Sequence, residues 1–303
     1  MKKHLPLISI IIAGVLWGSM SIFANELSRL GLPSASISCV RLSIAGILLW
    51  IILGIFKKDA LKVKLKHLPL LLSIGAFSQF LMSVCYISAI TTTSASVAAI
   101  LLYTSPIFIF VFSVILFKEK ATKNKLIALV LSVAGCVFVS GIVNGGNFST
   151  EGILLGLASG LTYGLYSILG TYALKHYSAI TVTAYSFLAS TILSVIFVDY
   201  GALSFASTVA PSVFYLVIIC VLSAVVTALL PFGLYTYGLQ GMDASKAGIL
   251  ACIEPVVATL VGIFVLGEGT DVFQIIGVVL VILAIVLLQL PSRKDGNKIT
   301  QIE

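Results

Sequence analysis

Long apolar runs broken by short polar links set the rhythm of the chain from end to end. Ten of them, near 7–25, 35–56, 68–90, 93–117, 124–142, 152–174, 180–198, 212–238, 243–266 and 272–290, approach the roughly 20 residues that a membrane-spanning helix needs. This pattern predicts an all-α membrane protein of ten transmembrane helices. The links leave no length for a folded soluble domain. The first run follows Lys2 and Lys3 and imitates a secretory signal peptide, but it is long, lacks a small-residue cleavage site and leads directly into further spans, so it is taken as helix 1.

The pattern also repeats. The stretch from Tyr86 to Leu131 returns 149 residues later as Tyr235 to Leu280, with eleven gapless identities between 86–135 and 235–284. The shared core reads Ala-Ser-x-Ala-x-Ile-Leu-x4-Pro followed by an apolar run and a glutamate, pairing Ala95 with Ala244, Ser96 with Ser245, Pro106 with Pro255 and Glu119 with Glu268. A fainter echo pairs Trp17-Gly18 with Tyr163-Gly164. The expected organisation is a first five-helix half at 1–142, a linker at 143–151, a second half at 152–290 and a polar tail at 291–303.

Charge adds direction. Of the eighteen Lys and Arg residues, sixteen fall at the two termini and in alternate links, with five between Lys57 and Lys66 and four between Lys118 and Lys125; Arg29 lies opposite and Arg41 lies inside helix 2. Basic residues collect in cytoplasmic loops, which predicts both termini in the cytoplasm of a cell-membrane protein. Lys118-Glu119-Lys120 then ends helix 4 inside, whereas its counterpart Gly267-Glu268-Gly269 ends helix 9 outside, stripped of lysine. Five spans per half is an odd number, so the second copy inserts upside down. Inverted repeats suit alternating access, because each half can take the shape of the other. The net charge of +7 therefore reports topology and not nucleic-acid binding.

Composition agrees: 59% of residues are hydrophobic, 10% are charged and the mean hydropathy is +1.17, more apolar surface than a soluble domain of this size can bury. Cys39, Cys85, Cys136, Cys220 and Cys252 lie in spans without CxxC spacing and read as reduced packing residues. His4, His67 and His176 lie outside the predicted spans, and neither a zinc motif nor a phosphate-binding loop occurs, so no metal, cofactor, direct ATP use or enzymatic site is expected.

Candidate chemistry is sparse. Arg41 in helix 2 and Glu254 near the middle of helix 9 each cost roughly 2.5–3.5 kcal/mol to insert and need a partner or a wet cavity. On one reading Glu254 meets an ammonium group or a proton while Arg41 serves a carboxylate or an outer gate; on the other, both only fix helix packing. Trp17, Tyr86, Tyr103, Tyr163, Tyr166 and Tyr235 are candidate walls of a site for an organic solute, with ordinary membrane packing as the alternative. Gln79 adds a mid-span hydrogen-bonding group, again with packing as its alternative. Pro106 and Pro255 occupy equivalent places, and each removes a helical hydrogen bond; Pro231 has no proline mate.

Ten spans, inverted halves, the Trp-Gly pair of helix 1, Arg41 and the run Ile-Glu-Pro-Val-x10-Gly-Glu from Ile253 to Glu268 resemble the drug/metabolite transporter superfamily, and more narrowly an EamA-type permease. The resemblance spans residues 5–290; Glu119 departs from the family's Gly-Glu context because Lys118 precedes it. It implies a secondary carrier, commonly an exporter of amino acids or other small metabolites, with a cavity between helices 1, 3, 4, 6, 8 and 9. The partners expected are a small-molecule substrate, the bilayer, and a proton or counter-substrate. A passive channel or facilitator is the alternative, although no ring-forming filter motif is present.

Overall fold

The computed structural model describes residues 4–140 and 149–290. Most of the expected linker and the whole tail, including Arg293, Lys294 and Lys298, lie outside the described residues, as do Lys2 and Lys3. Among the described residues there is no strand, and ten long helices follow one another. They are helix 1 (Leu5–Arg29), helix 2 (Ser34–Phe56), helix 3 (Leu65–Thr92), helix 4 (Ala95–Phe117), helix 5 (Lys123–Val139), helix 6 (Thr150–Ala173), helix 7 (Ala179–Phe197), helix 8 (Val213–Leu239), helix 9 (Ala244–Phe264) and helix 10 (Val272–Gln289). Nine are long and apolar enough to cross a bilayer by themselves. Helix 5 has 17 residues and, at about 1.5 Å per residue, reaches about 25 Å, most of the hydrocarbon thickness.

Polar caps set many of the helix starts. Ser94, Thr122, Ser149, Ser178 and Ser212 each accept a hydrogen bond from a backbone N–H three residues on, and Asp271 with Gln274 forms a reciprocal capping box on helix 10. Such caps satisfy donors that lipid cannot. Large apolar side chains such as Ile55, Ile115, Val130 and Val272 face outward, as expected where lipid is the solvent.

The helix pairing follows the repeat. Helix 1 packs on helix 8 as helix 6 packs on helix 3, and helix 1 packs on helix 9 as helix 6 packs on helix 4. Helices 2 and 7 pack together, as do helices 5 and 10, each pair being the two copies of one element. Exchanging the halves therefore preserves these principal pairings.

Backbone irregularities repeat at the same offset. Helix 3 loosens into a π turn at Ala76–Leu81 and helix 8 does so at Val225–Leu229. Helix 4 breaks after Leu102 and resumes at Ser105, just before Pro106; helix 9 breaks after Ala251 and resumes at Ile253, just before Pro255. The two prolines thus stand in the first turn of a new segment, where the missing N–H is harmless. Lys118 and Gly267 are equivalent and both are left-handed, with φ 55° and 70°. The turns they make are alike: Glu119 N–H donates to Ser113 O at 3.2 Å, and Glu268 N–H to Gly262 O at 2.9 Å.

Two features depart from the sequence reading. Helix 1 is interrupted at Ser19, whereas helix 6 runs unbroken. A short helix, Tyr200–Val209, occupies the link between helices 7 and 8; Asp199 caps it, and Ala206 and Leu203 pack with Leu27, Leu30 and Leu32.

Candidate functional site

A cavity of about 310 Å³ lies inside the bundle. Trp17, Arg41, Tyr86, Tyr103, Tyr163 and Glu254 all line it. Its walls come from helices 1, 3, 4, 6, 8 and 9, as the resemblance implies, and also from helix 2 through Ser34, Ile37, Ser38 and Arg41.

The break in helix 9 creates the setting of Glu254. Because the helix restarts at Ile253, this carboxylate stands in the first turn of a segment, where unpaired N–H groups favour negative charge. Tyr163 donates to Glu254 Oε2 at 3.1 Å. Helix 1 approaches closely here, since a Cβ on Gly18 would stand 2.6 Å from Glu254 O and from Val257 Cβ. Only glycine admits that spacing without a shift.

Arg41 is 8% exposed, and its partners are unusual. Nη1 donates to Thr227 O at 3.2 Å and to Thr227 Oγ1 at 3.3 Å, and lies 2.8 Å from Met20 Sδ; Nε is buried without a partner among the described residues. Thr227 belongs to the π turn of helix 8, so the loosened backbone supplies the carbonyl that receives the guanidinium. The matching π turn of helix 3 carries Ser78 and Gln79. Gln79 is fully buried, makes no side-chain hydrogen bond among the described residues and does not line the cavity.

Aromatic rings close one end. The Trp17 ring centre lies 5.1 Å from Phe232, 5.4 Å from Tyr235 and 6.3 Å from Tyr163. Beyond Trp17 a space of only about 20 Å³ remains, lined by Ser105, Tyr166, Tyr235 and Ala251 among others. The structure thus sets Tyr166 and Tyr235 in the floor and Tyr86, the repeat mate of Tyr235, in the cavity wall. Their hydroxyls are engaged, Tyr166 with Thr236 Oγ1 and Tyr235 with Ser167 Oγ, each at 2.7 Å.

The two ends of the bundle differ. At the lysine-rich end, Glu119 accepts from Ala244 N–H at 2.8 Å, from Ser245 N–H at 3.4 Å and from the Ser245 hydroxyl. Lys125, only 3% exposed, bridges Glu119 at 3.2 Å and Asp243 at 2.7 Å. At the lysine-poor end a second cavity of about 400 Å³ shares Ser21, Tyr86, Tyr103 and Ala258 with the central one. The central cavity therefore shares walls with a cavity at that end, whereas toward the lysine-rich end it meets the aromatic floor and the space of about 20 Å³ beneath Trp17. In the sequence Lys125 is one of four loop lysines, and the repeated Ser245 and Glu119 are the visible signals of this cluster.

Comparison with known proteins places these features in a wider group. The profile of the EamA-like transporter family matches residues 4–141 and again 150–290, once for each half. An uncharacterized transporter of Archaeoglobus fulgidus is 29% identical over 92% of this chain and 94% of its own length. An uncharacterized inner membrane transporter, YicL of Salmonella typhimurium, is 25% identical over 96% of this chain and 97% of its own. A solved crystal structure superposes with a TM-score of 0.78 at 19% identity, covering 95% of this chain and 98% of that one, which speaks to the fold alone.

Proposed function

The chain belongs to the EamA-like transporter family and is a multi-pass membrane transporter, and from that premise we propose that it is a secondary carrier of the cell membrane that exports a small polar metabolite, such as an amino acid or amine, by alternating access. One observation carries the reading: a single carboxylate, Glu254, lines a central cavity with aromatic walls that borders a wider cavity at the lysine-poor end and only a space of about 20 Å³ on the other side of Trp17. A substrate ammonium fits between the Glu254 carboxylate and the Tyr and Trp faces, where cation–π attraction adds to charge pairing. Arg41 lines the same cavity and suits a carboxylate.

On this reading the lysine-rich end faces the cytoplasm, where basic loops collect. The state described is then the one open to the exterior, ready to release an exported solute or to accept a proton or counter-substrate on Glu254. Competition between substrate and proton for one carboxylate couples their movements in opposite directions.

A passive channel would need a continuous path, and the layer around Trp17 argues against one. Counterflow of a panel of amino acids and amines into proteoliposomes tests the proposal. Saturable uptake stimulated by solute on the far side is expected; no counterflow above empty liposomes with folded protein would remove the substrate class, and non-saturable flux would favour the channel.

A further inference from the structure

The repeat makes the two ends chemically comparable residue by residue. Glu119 follows a left-handed Lys118 and holds the start of helix 9 through the Ala244 and Ser245 N–H groups and the Ser245 hydroxyl. Glu268 follows a left-handed Gly267, and its matching targets are Ala95 and Ser96 at the start of helix 4. All three residues line the cavity at the lysine-poor end, and no hydrogen bond joins them. The Glu268 carboxylate instead lies over Gly262, where a Cβ would clash with it. Ser94 caps only the Val97 N–H of helix 4. One end thus has a carboxylate seated on a helix start, and the other has the same parts, apart.

We propose that Glu119 and Glu268 are alternating latches, Glu119 holding helix 9 in the present state and Glu268 seizing the Ala95 and Ser96 N–H groups of helix 4 when the lysine-poor end closes. The inference rests on the alternating-access reading above. A carboxylate on two backbone donors and a hydroxyl makes a strong, directional closure, and its donors become free again as the helix start swings away. Glycine at 267 fits the moving copy, since it holds the left-handed turn without a side chain.

The latches are unequal, and the inequality sets the resting state. Lys125 reinforces Glu119, whereas its repeat mate Gln274 is committed to the capping box of helix 10 with Asp271. The closed lysine-rich end therefore carries an additional buried ion pair that the opposite closure lacks. On the proposal, that ion pair favours the state with the lysine-rich end closed.

Reporter cysteines decide the matter. Ala258→Cys sits on the open route and Ala251→Cys beside the sealed space under Trp17. Each is labelled with a small thiol reagent in proteoliposomes, against the parent with its five buried cysteines. Lys125→Gln is expected to slow labelling at 258 and speed it at 251, with a change of about tenfold in the ratio, and Glu268→Gln added to it should return the ratio toward the parent value. Glu268→Gln alone breaks no hydrogen bond of the present state, so it needs no rescue, and should lower the residual labelling at 251 by about tenfold. A ratio indifferent to Glu268→Gln in both backgrounds overturns the latch while leaving the carrier intact. Labelling at 251 and 258 that always rises and falls together, whatever the variant, defeats alternating access itself and the latch with it.

Discussion

Helices 4 and 9 break at the same place and differ in what the break displays. In helix 4 the residues are Tyr103, Thr104, Ser105 and Pro106; in helix 9 they are Cys252, Ile253, Glu254 and Pro255. Ser105 is buried at 3% exposure beside the small sealed space, and Glu254 borders the large open cavity. On the proposed mechanism, the matching backbone of the two copies serves a motion that needs two like halves. The carboxylate stands in one copy only, which on the same mechanism suits a single site passed between two gates.

The contrast is broken most severely at Glu254. Glu254→Gln is expected to reduce transport by about a hundredfold and to abolish its pH dependence, while Ser105→Ala at the matching position changes the rate by less than about twofold. Initial counterflow rates between pH 5 and 8 check this, and an unchanged pH profile in Glu254→Gln would remove this carboxylate as the proton carrier.

Next in size is the contact that seats helix 1 on helix 9. Gly18→Ala places a Cβ 2.6 Å from Glu254 O, and the resulting shift is expected to destabilise the fold by about 1–3 kcal/mol and to lower transport with it. Thermal unfolding in detergent measures the first effect. Gly233→Ala, where a Cβ meets nothing within 4 Å, is the matched control.

The smallest effect should come from the prolines. Pro255→Ala and Pro106→Ala restore a backbone donor at each break, and both should slow turnover by about two- to fivefold with little change in apparent affinity. Equal effects would show that the two breaks serve one motion, and an effect at Pro255 alone would confine their role to presenting Glu254.

Much of this architecture can be read from the sequence. Apolar runs of spanning length, the paired Pro and Glu positions and the skewed lysines are each local patterns with one physical meaning, and all ten helices lie where those runs predict. The π turns at Ala76–Leu81 and Val225–Leu229 leave no compositional trace, since slipping a hydrogen bond by one residue depends on neighbouring helices. For the same reason the Thr227 carbonyl could not be foreseen as the partner of Arg41. Lys125 stood in a run of loop lysines, where charge counting treats every member alike, and only the fold sets it apart as the buried one. Gln79 illustrates the opposite case: a polar residue at mid-span suggests a site, yet its helix face turns it away from the cavity. The helix Tyr200–Val209 was hidden in a link too short and too mixed to register as a span.

Everything here depends on two five-helix halves standing in opposite senses across the bilayer. The direct measurement is the sidedness of two equivalent turns, with single cysteines introduced at Lys120 and at Gly269 and probed by an impermeant thiol reagent in intact cells and in inverted vesicles. With the halves opposed, position 269 is expected to react only from outside and position 120 only from the cytoplasmic face. Reaction of both from the same side would contradict it.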